Sequence, residues 1–144
     1  MSKIQIDWID AMGFETEMDG HKITIDAGEQ VGGLGRGPKP KPFMLLALGG
    51  CAAMDVRSIL KKMRVEFEDF RIGVSGELTD EHPKHYTSMH LTFEFWGKDL
   101  TKNLKKIEKA VNLSDERYCG VSAVYKKAME ITSEIILHEN VDVS

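Results

Sequence analysis

The chain has 144 residues, of which 42% are hydrophobic and 29% charged, and its formal net charge is −4 at pH 7. This length suffices to bury a core without metal or disulfide crosslinks, so we expect a single domain over residues 1–144. The mild acidity gives no reason to expect a nucleic-acid partner. The first ten residues contain no apolar segment of signal-peptide length, which predicts a cytoplasmic protein.

Three short strands are predicted in the first 25 residues, because apolar and polar side chains alternate there. The dipeptide Asp19-Gly20 is typical of a two-residue hairpin turn between the second strand and the third. Residues 27–42 are rich in Gly and Pro and follow neither the helical nor the strand period, which predicts a long loop. The positions that define the strands are Ile4, Ile6, Trp8, Phe14, Thr16, Met18, Ile23 and Ile25.

A long helix is predicted from about Pro42 to Met63, since proline is accepted in the first turn of a helix but not in its middle. Its second half is amphipathic, with apolar residues recurring three, four and seven positions apart from Val56 onward. Its first half is apolar on all sides, so we expect that half to be surrounded by protein. The uncharged run 42–54 is shorter than the roughly 20 residues that cross a bilayer, and no membrane partner is expected.

The second half of the chain predicts two longer strands, two helices and a final strand. The two strands alternate over Phe70–Gly76 and Met89–Phe95, and an apolar stripe at helical spacing follows over Thr101–Leu113. The stretch "LSDERYCG" is expected to break that helix. A short helix is then expected over Gly120–Met129, and "EITSEIIL" predicts the last strand. The predicted order is βββαββααβ. Because strands and helices fall into separate blocks, we predict an α+β fold with mainly antiparallel sheets around a long buried helix.

Two further features are weak evidence for a ligand. The glycine-rich loop Gly32–Gly37 has the spacing of neither a nucleotide phosphate loop nor a dinucleotide-binding turn. His82 and His85 lie three residues apart, without cysteines or carboxylates at zinc-ligand spacing. We therefore expect no metal and no organic cofactor.

The two cysteines, Cys51 and Cys119, are the strongest candidates for chemistry. Cys51 lies in the most apolar segment of the chain, and Cys119 lies at a predicted helix start, where amide dipoles favour a thiolate. In a reducing compartment they are either two inert buried thiols or a redox pair. The residues alone leave both alternatives open, because a disulfide requires a proximity that the sequence does not give.

The cysteine motifs in their context resemble those of the OsmC/Ohr family of osmotically inducible and organic hydroperoxide resistance proteins, and most closely the branch with a Gly-Gly-Cys motif. The resemblance covers roughly residues 30–138. It is carried by "PFMLLALGGCAAMDVRSIL", "DFRIGVSGE", "HPKHYTSMHLTFEF" and "ERYCGVSAVYKKAMEITSEI".

The resemblance implies an OsmC-like fold in an intertwined homodimer, with the long helices at its centre and active sites at the subunit interface. It also implies thiol peroxidase activity on organic hydroperoxides, with Cys51 as the peroxidatic and Cys119 as the resolving residue. A thiol or lipoyl-type reductant would restore both thiols.

The resemblance further implies an arginine near the thiolate, for which Arg36 is the candidate. In the peroxidase branches a glutamate holds that arginine, and its position here is Lys41. Two alternatives therefore stay open beside the peroxidase. One is a non-enzymatic dimer that binds a small molecule near Phe43 and Met44, and the other is thiol chemistry on a different substrate.

Overall fold

The computed structural model describes residues 1–140, which form two compact units, one over Met1–Met44 and one from Leu45 onward. The first unit is a three-stranded antiparallel sheet of β1 (Ile6–Asp10), β2 (Gly13–Met18) and β3 (His21–Ile25), followed by a 3-10 turn at Glu29–Val31. Asp19 and Gly20 join β2 to β3 with φ angles of 49° and 78°. Two positive φ angles are what a type I′ hairpin turn requires, so the predicted hairpin is confirmed.

The second unit is built on a sheet of β4 (Asp69–Leu78), β5 (Tyr86–Gly97) and β6 (Glu130–Glu139), in that spatial order. The alternation predicted for β5 is confirmed: Met89, Leu91, Phe93 and Phe95 are all at most 4% exposed, and the residues between them are partly exposed. The predicted antiparallel pairing holds for β4 and β5. It fails for β5 and β6, which run parallel because the helices between them carry the chain back to the same end of the sheet.

The long helix α1 spans Phe43–Lys62, close to its predicted bounds. From Leu45 onward, one face is buried in the second unit through Leu48, Ala52, Val56 and Leu60, which are at most 3% exposed. By length and composition alone this helix could also cross a membrane. Its packing in the second unit favours a core helix, for which the same apolar composition is expected.

The opposite face of α1 is not covered by the described residues of the second unit. Leu46 is 65% exposed and Met54 is 77% exposed, and they lie eight residues apart, with Gly50 midway between them. Residues four apart on a helix share a face, so these three form one apolar stripe. The described residues of one chain therefore do not surround the first half of the helix, and its enclosure by protein stays a prediction.

The connection between β5 and β6 holds two helices and an unusual turn. A 3-10 turn at Thr101–Asn103 leads into α2 (Leu104–Leu113), which buries Ile107, Ala110 and Val111. The predicted break after α2 is instead a π-helical turn over Ser114–Tyr118. The short helix α3 spans Gly120–Tyr125, so it ends four residues before the predicted boundary at Met129.

The two adjacent glycines of α1 have different surroundings. A Cβ atom built on Gly49 would lie 2.6 Å from Cγ2 of Val74 on β4, whereas one built on Gly50 would meet nothing within 4 Å. Glycine costs roughly 0.8–1 kcal/mol relative to alanine in a helix interior. At Gly49 that cost is offset by the close approach of α1 to β4.

The contact at Gly49 predicts a specific energetic coupling. We expect Gly49→Ala to lower the free energy of unfolding by about 1–3 kcal/mol, because the β-branched Val74 has little rotamer freedom to move away. Val74→Ala should relieve the clash, so the double variant should lose less stability than the sum of the single variants by about 1 kcal/mol. Urea unfolding of all four proteins at one protein concentration measures this, and simple additivity would contradict it.

Candidate functional site

The second unit brings the two predicted cysteines together. Cys51 lies in the middle of α1 and is half-buried, while Cys119 immediately precedes α3 and is 3% exposed. Both are free thiols, and their sulfur atoms lie within 4.8 Å of each other. A disulfide bond is about 2.05 Å long, so the two side chains need only a modest rearrangement to form one.

Cys119 caps the amino end of α3. Its Sγ accepts a hydrogen bond from the backbone N–H of Ser122 at 3.3 Å. Burial and the hydrogen bond with Cys51 nevertheless raise the pKa of the Cys119 thiol to about 11, and the amide N–H groups of α3 only partly oppose this. The expectation that the helix start favours a thiolate at Cys119 is therefore wrong in net effect, because desolvation outweighs the dipoles.

A carboxylate lies beside the two sulfurs. Asp55 is one helical turn beyond Cys51 on α1, and one of its oxygens lies within 4.8 Å of both sulfur atoms. The hydroxyl of Ser114, in the π-helical turn, donates a hydrogen bond to Oδ2 of Asp55 at 3.0 Å. Ser114 is 1% exposed, so its hydroxyl is shielded from water, and the hydrogen bond holds the carboxylate of Asp55 in place.

A second set of hydrogen bonds holds the segment that presents Cys119. The hydroxyl of Ser122 donates to Oδ1 of Asp115 at 2.9 Å, and the ammonium group of Lys126 pairs with Oδ2 of the same carboxylate. Asp115 belongs to the π-helical turn, whereas Ser122 belongs to α3. These bonds tie the two segments on either side of Cys119 together.

A small cavity of about 30 Å³ lies next to Cys119. This volume accommodates about one water molecule and is far below the roughly 300 Å³ of the smallest typical ligand pockets. Its wall combines apolar side chains of α1 and β5 with polar groups of the π-helical turn. The lining residues include Leu48, Ala52, Leu91, Phe93, Ser114 and Asp115.

The arrangement supports two kinds of chemistry. Two free thiols in near contact can form and break a disulfide. Two sulfurs and one carboxylate oxygen are also a donor set that suits a borderline-soft divalent metal ion. The sequence predicted the two thiols as site residues but not Asp55 or Ser114. No recognisable motif links an Asp one helical turn after a cysteine to a serine 59 residues further along the chain.

Arg36, the third predicted site residue, belongs to the first unit. Its Nε donates to Oδ2 of Asp26 at 2.8 Å, and its Nη2 pairs with Oδ1 of Asp10 at 2.7 Å. Asp26 is 3% exposed and also accepts a hydrogen bond from the backbone N–H of Ala27 at 2.7 Å. The structure therefore brings together Cys51 and Cys119, and it places Arg36 in a carboxylate network of its own. The role of Arg36 toward Cys51 remains a prediction.

The chain belongs to the OsmC family. A family profile described as OsmC-like protein matches residues 33–134. The OsmC-like fold and the family suggested by the cysteine motifs are thus confirmed, and membership supports a redox or stress-response role.

Known relatives match nearly the whole chain. Protein YhfA of Escherichia coli K12 is 35% identical over 129 residues, which cover 89% of this chain and 92% of YhfA. The crystal structure of a hypothetical protein from Aquifex aeolicus is 28% identical with a TM-score of 0.77, covering 96% of this chain and 98% of that one. The organic hydroperoxide resistance protein OhrB of Bacillus subtilis shares the fold at 17% identity, with a TM-score of 0.64 and coverage of 94% and 97%.

The Asp26–Arg36 pair predicts acid sensitivity. The Arg36 guanidinium and the Ala27 amide lower the pKa of Asp26 from 3.8 to about 2. A carboxyl with a lowered pKa in the folded state stabilises the fold above its unfolded pKa, and this contribution is lost as the pH falls through the folded value. In the wild type we expect the free energy of unfolding to fall as the pH decreases from about 4 to about 2. Asp26→Asn should be less stable than the wild type at pH 7, and its free energy of unfolding should lack this part of the pH dependence. Urea unfolding across that pH range measures both, and identical slopes would contradict the prediction.

Proposed function

We propose that the protein is a thiol-dependent peroxidase that reduces organic hydroperoxides through Cys51 and Cys119. The observation that carries the proposal is the near contact of two free thiols, within 4.8 Å, on separate elements of one unit. Family membership adds support, because the same fold carries the hydroperoxide resistance protein OhrB of Bacillus subtilis.

In the first step the Cys51 thiolate attacks the terminal oxygen of the hydroperoxide ROOH. The S–O bond forms as the O–O bond breaks, and the departing alkoxide takes up a proton to leave as the alcohol ROH. Cys51 is thereby oxidised to a sulfenic acid, and the hydroperoxide is reduced by two electrons.

In the second step the sulfur of Cys119 attacks the sulfur of the Cys51 sulfenic acid. The S–S bond forms, the S–O bond breaks, and the hydroxyl group leaves as water with the proton of the Cys119 thiol. An external dithiol or two monothiols then reduce the disulfide and are themselves oxidised. One turnover therefore converts ROOH and two reducing thiol groups into ROH, water and a disulfide.

The environments of the two cysteines support this division of roles. Cys51 is half-buried on α1, whereas Cys119 is 3% exposed and its thiol has a pKa raised by burial to about 11. A buried, protonated thiol makes a poor first nucleophile toward a substrate from solution. It is well placed to act second, on a sulfenic acid formed beside it.

Activation of Cys51 needs a cation, because Cys51 lies too far along α1 for its amino-terminal dipole to act. We propose Arg36 for this role. Its charge is retained at any relevant pH, since the hydrogen bond with Asp26 raises the pKa of Arg36. In the peroxidase branches a glutamate orients the arginine, and this chain has Lys41 at that position. Asp26 would take over that role by holding the guanidinium of Arg36 in a fixed orientation.

We further propose that the working form is a homodimer in the cytoplasm. Proteins of the OsmC/Ohr family are typically dimeric. The apolar stripe of Leu46, Gly50 and Met54 is exposed in the single chain, and large exposed apolar side chains on a core helix favour an interface. Gly50 carries no side chain there, which would let a partner helix approach closely.

The peroxidase proposal predicts the products of a stoichiometric reaction. One equivalent of an alkyl hydroperoxide should remove both titratable thiols from the reduced protein and yield an intramolecular Cys51–Cys119 disulfide, detected by peptide mass spectrometry. Cys51→Ser should slow hydroperoxide consumption by at least about 10³-fold, because the nucleophile is lost. Cys119→Ser should accumulate a sulfenic acid that a cyclic diketone traps.

A parallel reaction with hydrogen peroxide tests the substrate class, since the apolar surroundings of α1 favour the alkyl substrate. If both thiols remain titratable while a reference peroxidase consumes the same hydroperoxide, the protein is not a peroxidase. Retention of a small molecule in native mass spectrometry would then favour the binding-protein alternative.

The dimer proposal predicts a self-association defect at Met54. Met54→Lys places a charge at one end of the apolar stripe, and burying an unpaired charge in an interface is costly. We expect the dimer dissociation constant to rise by about tenfold or more, which is about 1.4 kcal/mol per factor of ten. Asn112→Lys adds the same charge at an exposed position on α2 and should leave the constant unchanged. Sedimentation equilibrium measures both, and equal effects would exclude this interface.

A further inference from the structure

We propose that Cys51, Asp55 and Cys119 form a binding site for a single Zn²⁺ ion, supplying two sulfur ligands and one oxygen ligand. The inference goes beyond the peroxidase and does not depend on it, since it rests on the geometry of the three side chains alone.

The distances fit a tetrahedral zinc site with small adjustments. The three potential ligand atoms all lie within 4.8 Å of one another. Zinc binds thiolate sulfur at about 2.3 Å and carboxylate oxygen at about 2.0–2.2 Å, so tetrahedral ligand atoms lie roughly 3.5–3.8 Å apart. Rotations about side-chain bonds, which shift the ligand atoms by about 1 Å, would close the site without moving the backbone.

Secondary interactions already orient two of the three ligands. Ser114 donates to the Asp55 carboxylate at 3.0 Å, and the N–H of Ser122 donates to the Cys119 sulfur at 3.3 Å. Such hydrogen bonds to ligating atoms are typical of protein metal sites, where they fix the ligand and stabilise its anionic form. Cys51 and Asp55 are also one turn apart on α1, so both project from the same face of a rigid helix.

The charges of the site favour a divalent cation. Asp55 contributes one carboxylate oxygen beside the two sulfurs. Zn²⁺ and two thiols give a complex of two thiolates and one carboxylate, and each thiol releases its proton. Because protons compete with the metal, affinity should increase with pH. The fourth position is left to water, for which the adjacent cavity of about 30 Å³ is large enough.

Zinc in this site would withhold both sulfurs from other reactions. A thiolate bound to zinc is protected from disulfide formation, because its sulfur atom is bonded to the metal and is not available to bond to the other sulfur. Bound zinc is therefore expected to act as a reversible block on the thiol pair.

The proposal is tested by metal binding to the fully reduced protein, without any hydroperoxide. Zn²⁺ titrated in competition with a chromophoric chelator should bind at one ion per chain and release the proton of each protonated thiol. Asp55→Asn is nearly isosteric and should weaken binding by more than about tenfold, and Ser114→Ala by about tenfold. Asp80→Asn, which makes the same substitution in an exposed loop, should have no effect.

Substitution with Co²⁺ provides a second readout. The cobalt protein should show a thiolate-to-metal charge-transfer band that is lost in both Cys51→Ser and Cys119→Ser. Equal zinc affinity of Asp55→Asn and Asp80→Asn would overturn the assignment of the oxygen ligand, and absence of the band would overturn the site. If Asp55→Asn fails to fold, the wild-type band and protection of both thiols from alkylation by Zn²⁺ decide the question.

Discussion

The packing of α1 against the sheet of the second unit determines where the chemistry can occur. Leu48, Ala52, Val56 and Leu60 define the buried face of the helix, and Gly49 lets the backbone approach Val74 more closely than any side chain would permit. Once that buried face is fixed, the helical repeat determines the direction of the side chains on the other faces of α1. Cys51 and Asp55 then point toward the segment around Cys119, and Leu46 and Met54 point away from the unit. One helix thus supplies a core, a reactive site and an exposed apolar surface.

The reactive site combines opposing electrostatic effects. Burial and the hydrogen bond with Cys51 disfavour charge on the sulfur of Cys119, whereas the amide groups at the start of α3 favour it. At Cys119 desolvation outweighs the effect of the amide groups, so the thiol stays protonated. It loses its proton only when another species makes the thiolate favourable. An electrophilic sulfur on Cys51 would do so, and so would a divalent cation. The same geometry therefore suits both redox chemistry and metal binding, and the two states exclude each other.

Sequence patterns predicted most of the secondary structure, because period-2 and period-3.6 alternation depend only on local geometry. The alternation of β5 and the turn at Asp19-Gly20 are examples. The parallel pairing of β5 with β6 was missed, since strand direction is set by the path of the intervening helices. The π-helical turn was mistaken for a break because two of its polar residues, Ser114 and Asp115, bond to Asp55 of α1 and Ser122 of α3 instead of facing solvent. Asp55 was missed for the same reason: its partner lies 59 residues away, and only the fold brings them together.

The position of β6 in the sheet has a consequence for biosynthesis. Ile131, Thr132 and Ser133 of this last strand line the cavity beside Cys119, and β6 can pair with β5 only after both helices between them have emerged from the ribosome. Until then one wall of the cavity is missing. The enclosure of the space beside Cys119 is therefore completed late in translation, when β6 joins the sheet.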